Sequence, residues 1–96
     1  MDLNSVSQAL QAHQADLDQF AVRSIAVFGS VARDEAKESS DIDLLVEFNR
    51  PIGLFEFIRL KYYLEGLTGS QVDLVTPDAL RPELRESILS EAVYVA

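Results

Sequence analysis

The chain has no cysteine and no tryptophan, and only one methionine, three prolines and four glycines in 96 residues. Without cysteine there is neither a disulfide framework nor a thiolate metal centre, which fits a cytoplasmic, reducing setting. Cations are scarce too: 8 Lys and Arg stand against 16 Asp and Glu, a net charge of −8. Phosphate backbones are gripped by clustered Lys and Arg, so direct polynucleotide binding is not expected. An acidic chain suits a basic protein partner instead. No apolar run is long enough to cross a bilayer. The polar start, Met1-Asp2-Leu3-Asn4-Ser5-Val6-Ser7, lacks the basic and apolar regions of a secretory leader. No internal repeat or low-complexity stretch is found. A hydrophobic share of 48% supports one core, so a single domain over residues 1–96 is expected, with no second domain to enclose a polymer or a bulky acceptor.

What is there concentrates between Ile25 and Val46. An apolar strand ends at Phe28, Gly29-Ser30 turns into a short helix, and ten residues after Ser30 come Asp41 and Asp43, which open a second apolar strand. Side chains alternate along a strand, so Asp41 and Asp43 share a face. Two adjacent carboxylates are costly unless a cation lies between them. Mg²⁺ suits the pair because it takes one or two carboxylates, retains water and is completed by substrate phosphates. Gly29 lets the backbone approach a ligand closely, and Ser30 stands at a helix start, where free N–H groups attract an anion. Taken singly, Gly-Ser after a strand is an ordinary turn and Asp-x-Asp after Ser39-Ser40 is an ordinary cap. Taken together, at this spacing, they describe a nucleoside-triphosphate site.

Gly29-Ser30, ten residues, then Asp41-x-Asp43 resembles the signature of the nucleotidyltransferase superfamily typified by DNA polymerase beta. The longer pattern, Gly29-Ser30-x-Ala32-Arg33 followed by Ser40-Asp41-x-Asp43-Leu44-x-Val46, is similar to its minimal branch, the MNT antitoxins that act on HEPN-domain toxins. The branch commonly has glycine after the arginine, where this chain has Asp34. The resemblance implies transfer of AMP from ATP to a hydroxyl, a tyrosine of a HEPN-domain ribonuclease toxin, which is thereby neutralised. It also implies Mg²⁺, one or two ions, held by Asp41, Asp43 and a third carboxylate from a neighbouring strand, with ATP as co-substrate and its phosphates on Gly29 and Ser30. Asp73 is the candidate for that third carboxylate: an Asp inside an otherwise buried strand is expensive unless paired. The alternatives are a non-catalytic antitoxin that acts by binding and occlusion, an adenylyltransferase for a small-molecule acceptor, or an inert subunit of a larger transferase.

The remaining chain predicts an α/β (α+β) fold, a small mixed β-sheet of about three strands with helices packed on it. Apolar residues at three- and four-residue steps predict a helix over 2–19, capped by Asp2 or Asn4, with His13 beside its apolar stripe as a packing residue. Strands are expected at Val22–Phe28, Asp41–Phe48 and Gln71–Thr76. Glu47 lies about 13 Å along its strand from Asp43 at ~3.3 Å per residue, too far to share an ion, and reads as structural. A short helix over 30–36 leads into a polar loop, Lys37–Ser40. Arg33 within that helix either reaches the triphosphate or pairs with Asp34, Glu38 or the C-terminal part of the chain. A helix over about 53–67 is stopped by Thr68-Gly69-Ser70. Its aromatics, Phe55, Phe57, Tyr62 and Tyr63, serve packing or a partner surface. The last helix, over 79–91, starts properly at Arg81 or Pro82, has Leu80, Leu84, Ile88 and Leu89 as its apolar set, and is followed by an apolar tail, Ala92–Ala96, expected either to pack as a short extended segment or to lie on a partner.

Overall fold

A computed structural model of the chain describes residues 2–33, 35 and 41–96. The loop expected over Lys37–Ser40, Asp34, and the second half of the helix expected over 30–36 lie outside the described residues, apart from Glu35. The elements are α1 (Leu3–Gln11), α2 (Gln14–Gln19), β1 (Val22–Phe28), α3 (Gly29–Ala32), β2 (Ile42–Phe48), α4 (Leu54–Thr68), β3 (Val72–Val75), a 3₁₀ turn (Pro77–Ala79), α5 (Pro82–Glu91) and β4 (Val93–Tyr94).

The sheet has four strands in the order β3-β2-β1-β4, not three. β1 pairs antiparallel with β2 and with β4, and β2 pairs parallel with β3. The tail is the extra strand: Val93 and Tyr94 lie opposite Val27 and Ala26. The chain then continues along β1, with the Val95 N–H donating to the Ile25 carbonyl at 2.9 Å and the Ile25 N–H to the Ala96 carbonyl at 3.0 Å. Val95 is buried in the core.

Alternation sorts the two sheet faces. Ile25, Val27, Ile42, Leu44, Val46, Val72 and Leu74 join Val6 and Leu10 of α1, Leu17 of α2 and Leu60 and Leu64 of α4 in one apolar core. Ala26 and Leu45, cross-strand partners, alternate away from that core and are also buried, so β1 and β2 are covered on both sides. This explains their near-continuous hydrophobicity. The first pairing slips at Arg23, an extra residue between Val22 and Ser24, and the Arg23 guanidinium pairs with Glu47. Glu47 is thus structural, as its distance along the strand predicts.

The single helix expected over 2–19 is two helices. Asp2 caps the first, its Oδ1 accepting from the Ser5 N–H at 2.8 Å, which holds its carboxyl below the ordinary range. The break falls at His13, whose backbone leaves the helical region and whose ring Nδ1 bonds the Ala9 carbonyl at 2.8 Å. Beyond the break Leu17 of α2 is in the core and Phe20 packs against it. Sequence periodicity misses it because both pieces keep the same apolar spacing.

α4 ends at Gly69 in the left-handed conformation (φ 68°), with its N–H on the Glu65 carbonyl at 2.8 Å. The aromatics of α4 divide. Phe57 packs edge-on to Phe48 and Tyr63 packs against Phe20, whereas Phe55 and Tyr62 are 81% and 65% exposed. The Tyr63 hydroxyl donates to Asp16 Oδ2 at 2.7 Å, tying α4 to α2. Burial, then this bond, pushes its pKa up to about 12. Tyr63→Phe is expected to lower unfolding stability by about 1 kcal/mol, measurable by urea denaturation.

α5 begins with Pro82 in its first turn, as expected, after a separate 3₁₀ turn. Its predicted core stripe is not used: no residue of α5 is buried, and Leu84 is 49% exposed. The helix is held mainly from its C-terminal end, where β4 follows.

Candidate active site

The site is assembled at the end of the sheet where β1 stops and β2 and β3 begin. Gly29 starts α3 with φ 71°, a left-handed conformation that glycine adopts without penalty. A second constraint acts at the same residue. A Cβ on Gly29 would lie 2.1 Å from Asp43 Oδ2 and 3.0 Å from its carboxyl carbon. Only a residue without a side chain lets the turn and the Asp43 carboxylate occupy adjacent space. Phe28 and Asp43 are cross-strand partners, so the turn and the acidic residue are at one level of the sheet. Ser30, next in α3, is half-buried.

Asp41 precedes β2 and is exposed, and Asp43 is half-buried within it. The third carboxylate is supplied by the parallel pairing, which places Asp73 directly opposite Asp43. Parallel neighbours lie about 4.8 Å apart, and the electrostatics record the crowding. Burial raises the Asp43 carboxyl above its ordinary value of 3.8, the Asp73 and Asp41 carboxylates raise it further, and Arg33 opposes the shift. The three predicted acidic residues are therefore brought together. The reason expected for Asp73 differs, however. β3 is an edge strand and Asp73 is exposed, so no burial cost marks it out. Its register opposite Asp43 does.

A cleft of about 720 Å³ is lined by two of these carboxylates, Asp41 and Asp73, with Gly69 to Val72 and Lys61 and Glu65 of α4; Asp43, Gly29 and Ser30 are not in its lining. Glu65 Oε2 accepts from the Val72 N–H at 3.0 Å and so fixes the start of β3 next to Asp73. A larger open cleft, about 890 Å³, lies at the far end of β2 around Asn49 to Leu54. It contains none of the predicted site residues, and the concentration of acidic chemistry makes the smaller cleft the relevant one.

Among the described residues no group of three or more acidic or histidine side chains already forms a closed metal cage. Mg²⁺ takes one or two protein carboxylates and draws its other ligands from water and phosphate oxygens. The donor set fits such an ion: all-oxygen, anionic, partly solvated, and mutually repulsive without a cation.

Two further residues at the site escaped sequence reasoning. Glu91, at the end of α5, accepts from the Gly29 N–H at 3.1 Å and from Arg33 at 3.2 Å. Arg33 also donates to Glu35 at 3.1 Å, and these bonds, Glu35 first and then Glu91, raise its pKa. Among the roles expected for Arg33, the pairing with the C-terminal part of the chain is seen, to Glu91; Asp34 and Glu38 lie outside the described residues. Lys61 is the cation lining the acidic cleft. Neither Glu91 nor Lys61 carries a spacing signal, since each reaches the site from a helix remote in sequence.

A glycine turn against Asp43, Asp41 just before the same strand and Asp73 in register beside it are the features expected of a nucleotidyl-transferring class of domain. The family model described as the nucleotidyltransferase domain matches residues 7–95, and the chain belongs to that family. It is 45% identical over 96 residues to the protein adenylyltransferase MntA of Thermococcus cleftensis, covering 99% of this chain and 97% of the relative. A solved minimal nucleotidyltransferase superposes with a TM-score of 0.82 at 44% identity, covering 97% of this chain and 95% of that one. A tri-AMPylated Shewanella oneidensis HEPN toxin in complex with its MNT antitoxin gives a TM-score of 0.59 at 18% identity, covering 90% and 71% of the two chains. At that identity the likeness is one of fold.

Proposed function

We propose that this chain is an antitoxin-type protein adenylyltransferase: it transfers AMP from ATP to a tyrosine hydroxyl of a HEPN-domain ribonuclease toxin and neutralises it. The observation that carries this reading is the in-register pair Asp43–Asp73 beside Gly29, in a chain 45% identical to a protein adenylyltransferase over nearly its whole length. The toxin as acceptor is supported by the solved complex of a tri-AMPylated HEPN toxin with an MNT antitoxin.

Asp41 and Asp43 would hold Mg²⁺, and Asp73 would complete a second metal position. When bound, the metal neutralises phosphate charge and steadies the attacking and leaving oxygens of an in-line displacement. The Gly29-Ser30 turn holds the β- and γ-phosphates of ATP. The acceptor oxygen attacks the α-phosphorus, the bond from that phosphorus to the α,β-bridging oxygen breaks, and pyrophosphate leaves. Asp73, exposed beside the cleft, would help hold the metal that lowers the pKa of the attacking hydroxyl, whose proton is released to solvent as the new bond forms. Positioning and charge stabilisation do most of the work in such transfers.

Co-expression with a HEPN toxin followed by intact-mass spectrometry tests this reading. The wild-type chain is expected to add one or more AMP masses to the toxin, and Asp41→Asn/Asp43→Asn is expected to add none. A toxin that is unmodified yet tightly bound and silenced, by both proteins alike, would replace transfer with occlusion. Rapid turnover on amino-sugar acceptors without any protein partner would make the acceptor a small molecule.

A further inference from the structure

Glu91 closes a helix that buries none of its ten residues, yet its carboxylate reaches the turn at Gly29. Its Oε1 accepts from the Gly29 N–H at 3.1 Å, and both its oxygens accept from one Arg33 guanidinium nitrogen at 3.2 Å. The reach is set by the sheet. β4 pairs antiparallel with β1 through Val27–Val93 and Ala26–Tyr94, and the same register carried two residues further brings Glu91 level with Gly29. The two-residue strand β4 thus delivers a carboxylate to the start of α3.

Gly29 is held from two sides. Asp43 lies where a Cβ would be, and Glu91 fixes the N–H. Glycine has the widest backbone freedom of any residue, so a glycine turn that must present one geometry to a ligand needs such anchors. A hydrogen bond to an ionised acceptor is of the strong kind. Arg33, joined to both Glu35 and Glu91, is kept on the outer side of the same turn.

We propose that Glu91 is a positioning residue for nucleotide binding: by anchoring the Gly29 N–H and Arg33 it fixes the turn that meets the ATP phosphates. This rests on the nucleotide-turn reading under Proposed function. The opposite arrangement, a carboxylate occupying donors that the phosphates must win back, predicts the reverse response to its removal, so the two are separable.

The test is binding of AMP-PNP with Mg²⁺ by calorimetry, with ATP kinetics of toxin modification and a thermal melt, for the wild type, Glu91→Ala and Glu91→Gln. Glu91→Ala is expected to weaken AMP-PNP binding about tenfold, the scale on which supporting partners act on a site, and to raise the KM for ATP more than it lowers kcat. Glu91→Gln is expected to be intermediate, about threefold weaker, because its amide oxygen still accepts from the Gly29 N–H but brings no charge to Arg33. Should Glu91→Ala not fold, Glu91→Gln alone decides. Binding equal to or tighter than wild type in a folded variant overturns the proposal, as does a lowered melting temperature with an unchanged KM. A wild-type chain that binds no AMP-PNP fails at the earlier step and removes the nucleotide reading itself.

Discussion

Gly29→Ala is expected to lose AMP transfer by about a hundredfold or more while the protein still folds. Two effects act together. A Cβ at this position would meet Asp43 Oδ2 at 2.1 Å, so the carboxylate has to rotate away from its place beside Asp41 and Asp73. The backbone at φ 71° is also one that an alanine adopts only at a cost of ~1–2 kcal/mol. Displacement of a reacting group by about 1 Å is enough to cost ~10²-fold in rate. Stability should fall only by roughly the backbone penalty, because the obstructing group is the mobile end of a half-buried side chain. Rates of toxin modification and a urea titration on the same preparation check both halves. Near-normal transfer by Gly29→Ala would show that the Asp43 position seen here is not the working one.

Asp43→Asn should have the largest effect on catalysis and the opposite effect on stability. In the proposed function Asp43 holds the metal, and its loss would remove several kcal/mol of charge stabilisation in the transition state, roughly a thousandfold or more in rate at about 1.4 kcal/mol per tenfold. For stability the sign follows from the raised carboxyl of Asp43. Between its ordinary value of 3.8 and its higher folded value, the folded chain keeps a proton that the unfolded chain has released. Stability therefore falls as pH rises through that window and stays lower above it. Asparagine is uncharged throughout. At pH 7, without divalent cations, Asp43→Asn should melt above the wild type, and the gap should close as pH drops below 3.8. Mg²⁺ with AMP-PNP should raise the melting temperature of the wild type and not of the variant. A variant less stable than the wild type at neutral pH would mean that the Asp43 charge is already compensated without a metal.

The two predictions describe one compromise. Three carboxylates are gathered at the end of a sheet where burial and the other two disfavour the charge of Asp43, and a glycine is kept free of side chain so that Asp43 can stand against the turn. The strain is local because the opposite face of the sheet carries the uninterrupted apolar core built on Ile25, Val27, Leu44, Val46 and Leu74. Function-bearing residues that break the rules of stability are carried by a scaffold that obeys them.

Much of this was legible in the chain itself. Alternation within Val22–Phe28 and Ile42–Phe48, the Gly29-Ser30 turn, the Asp41-x-Asp43 pair and the Gly69 helix stop are local properties of backbone geometry, which a few neighbouring residues determine. Other features depend on which segment lies beside which. The parallel register sets Asp73 opposite Asp43 at an exposed edge, where strand burial was the expected mark. The tail becomes a fourth strand because β1 has a free edge there, and that pairing carries Glu91 to Gly29. The break at His13 is fixed by the need of α2 to turn Leu17 onto the core. Local sequence specified the Gly29-Ser30 turn and the first two carboxylates, since side-chain alternation and glycine's freedom act within a few residues. Tertiary structure alone placed Asp73, Glu91 and Lys61 around them, since strand register and helix docking are settled by contacts between segments far apart in the chain.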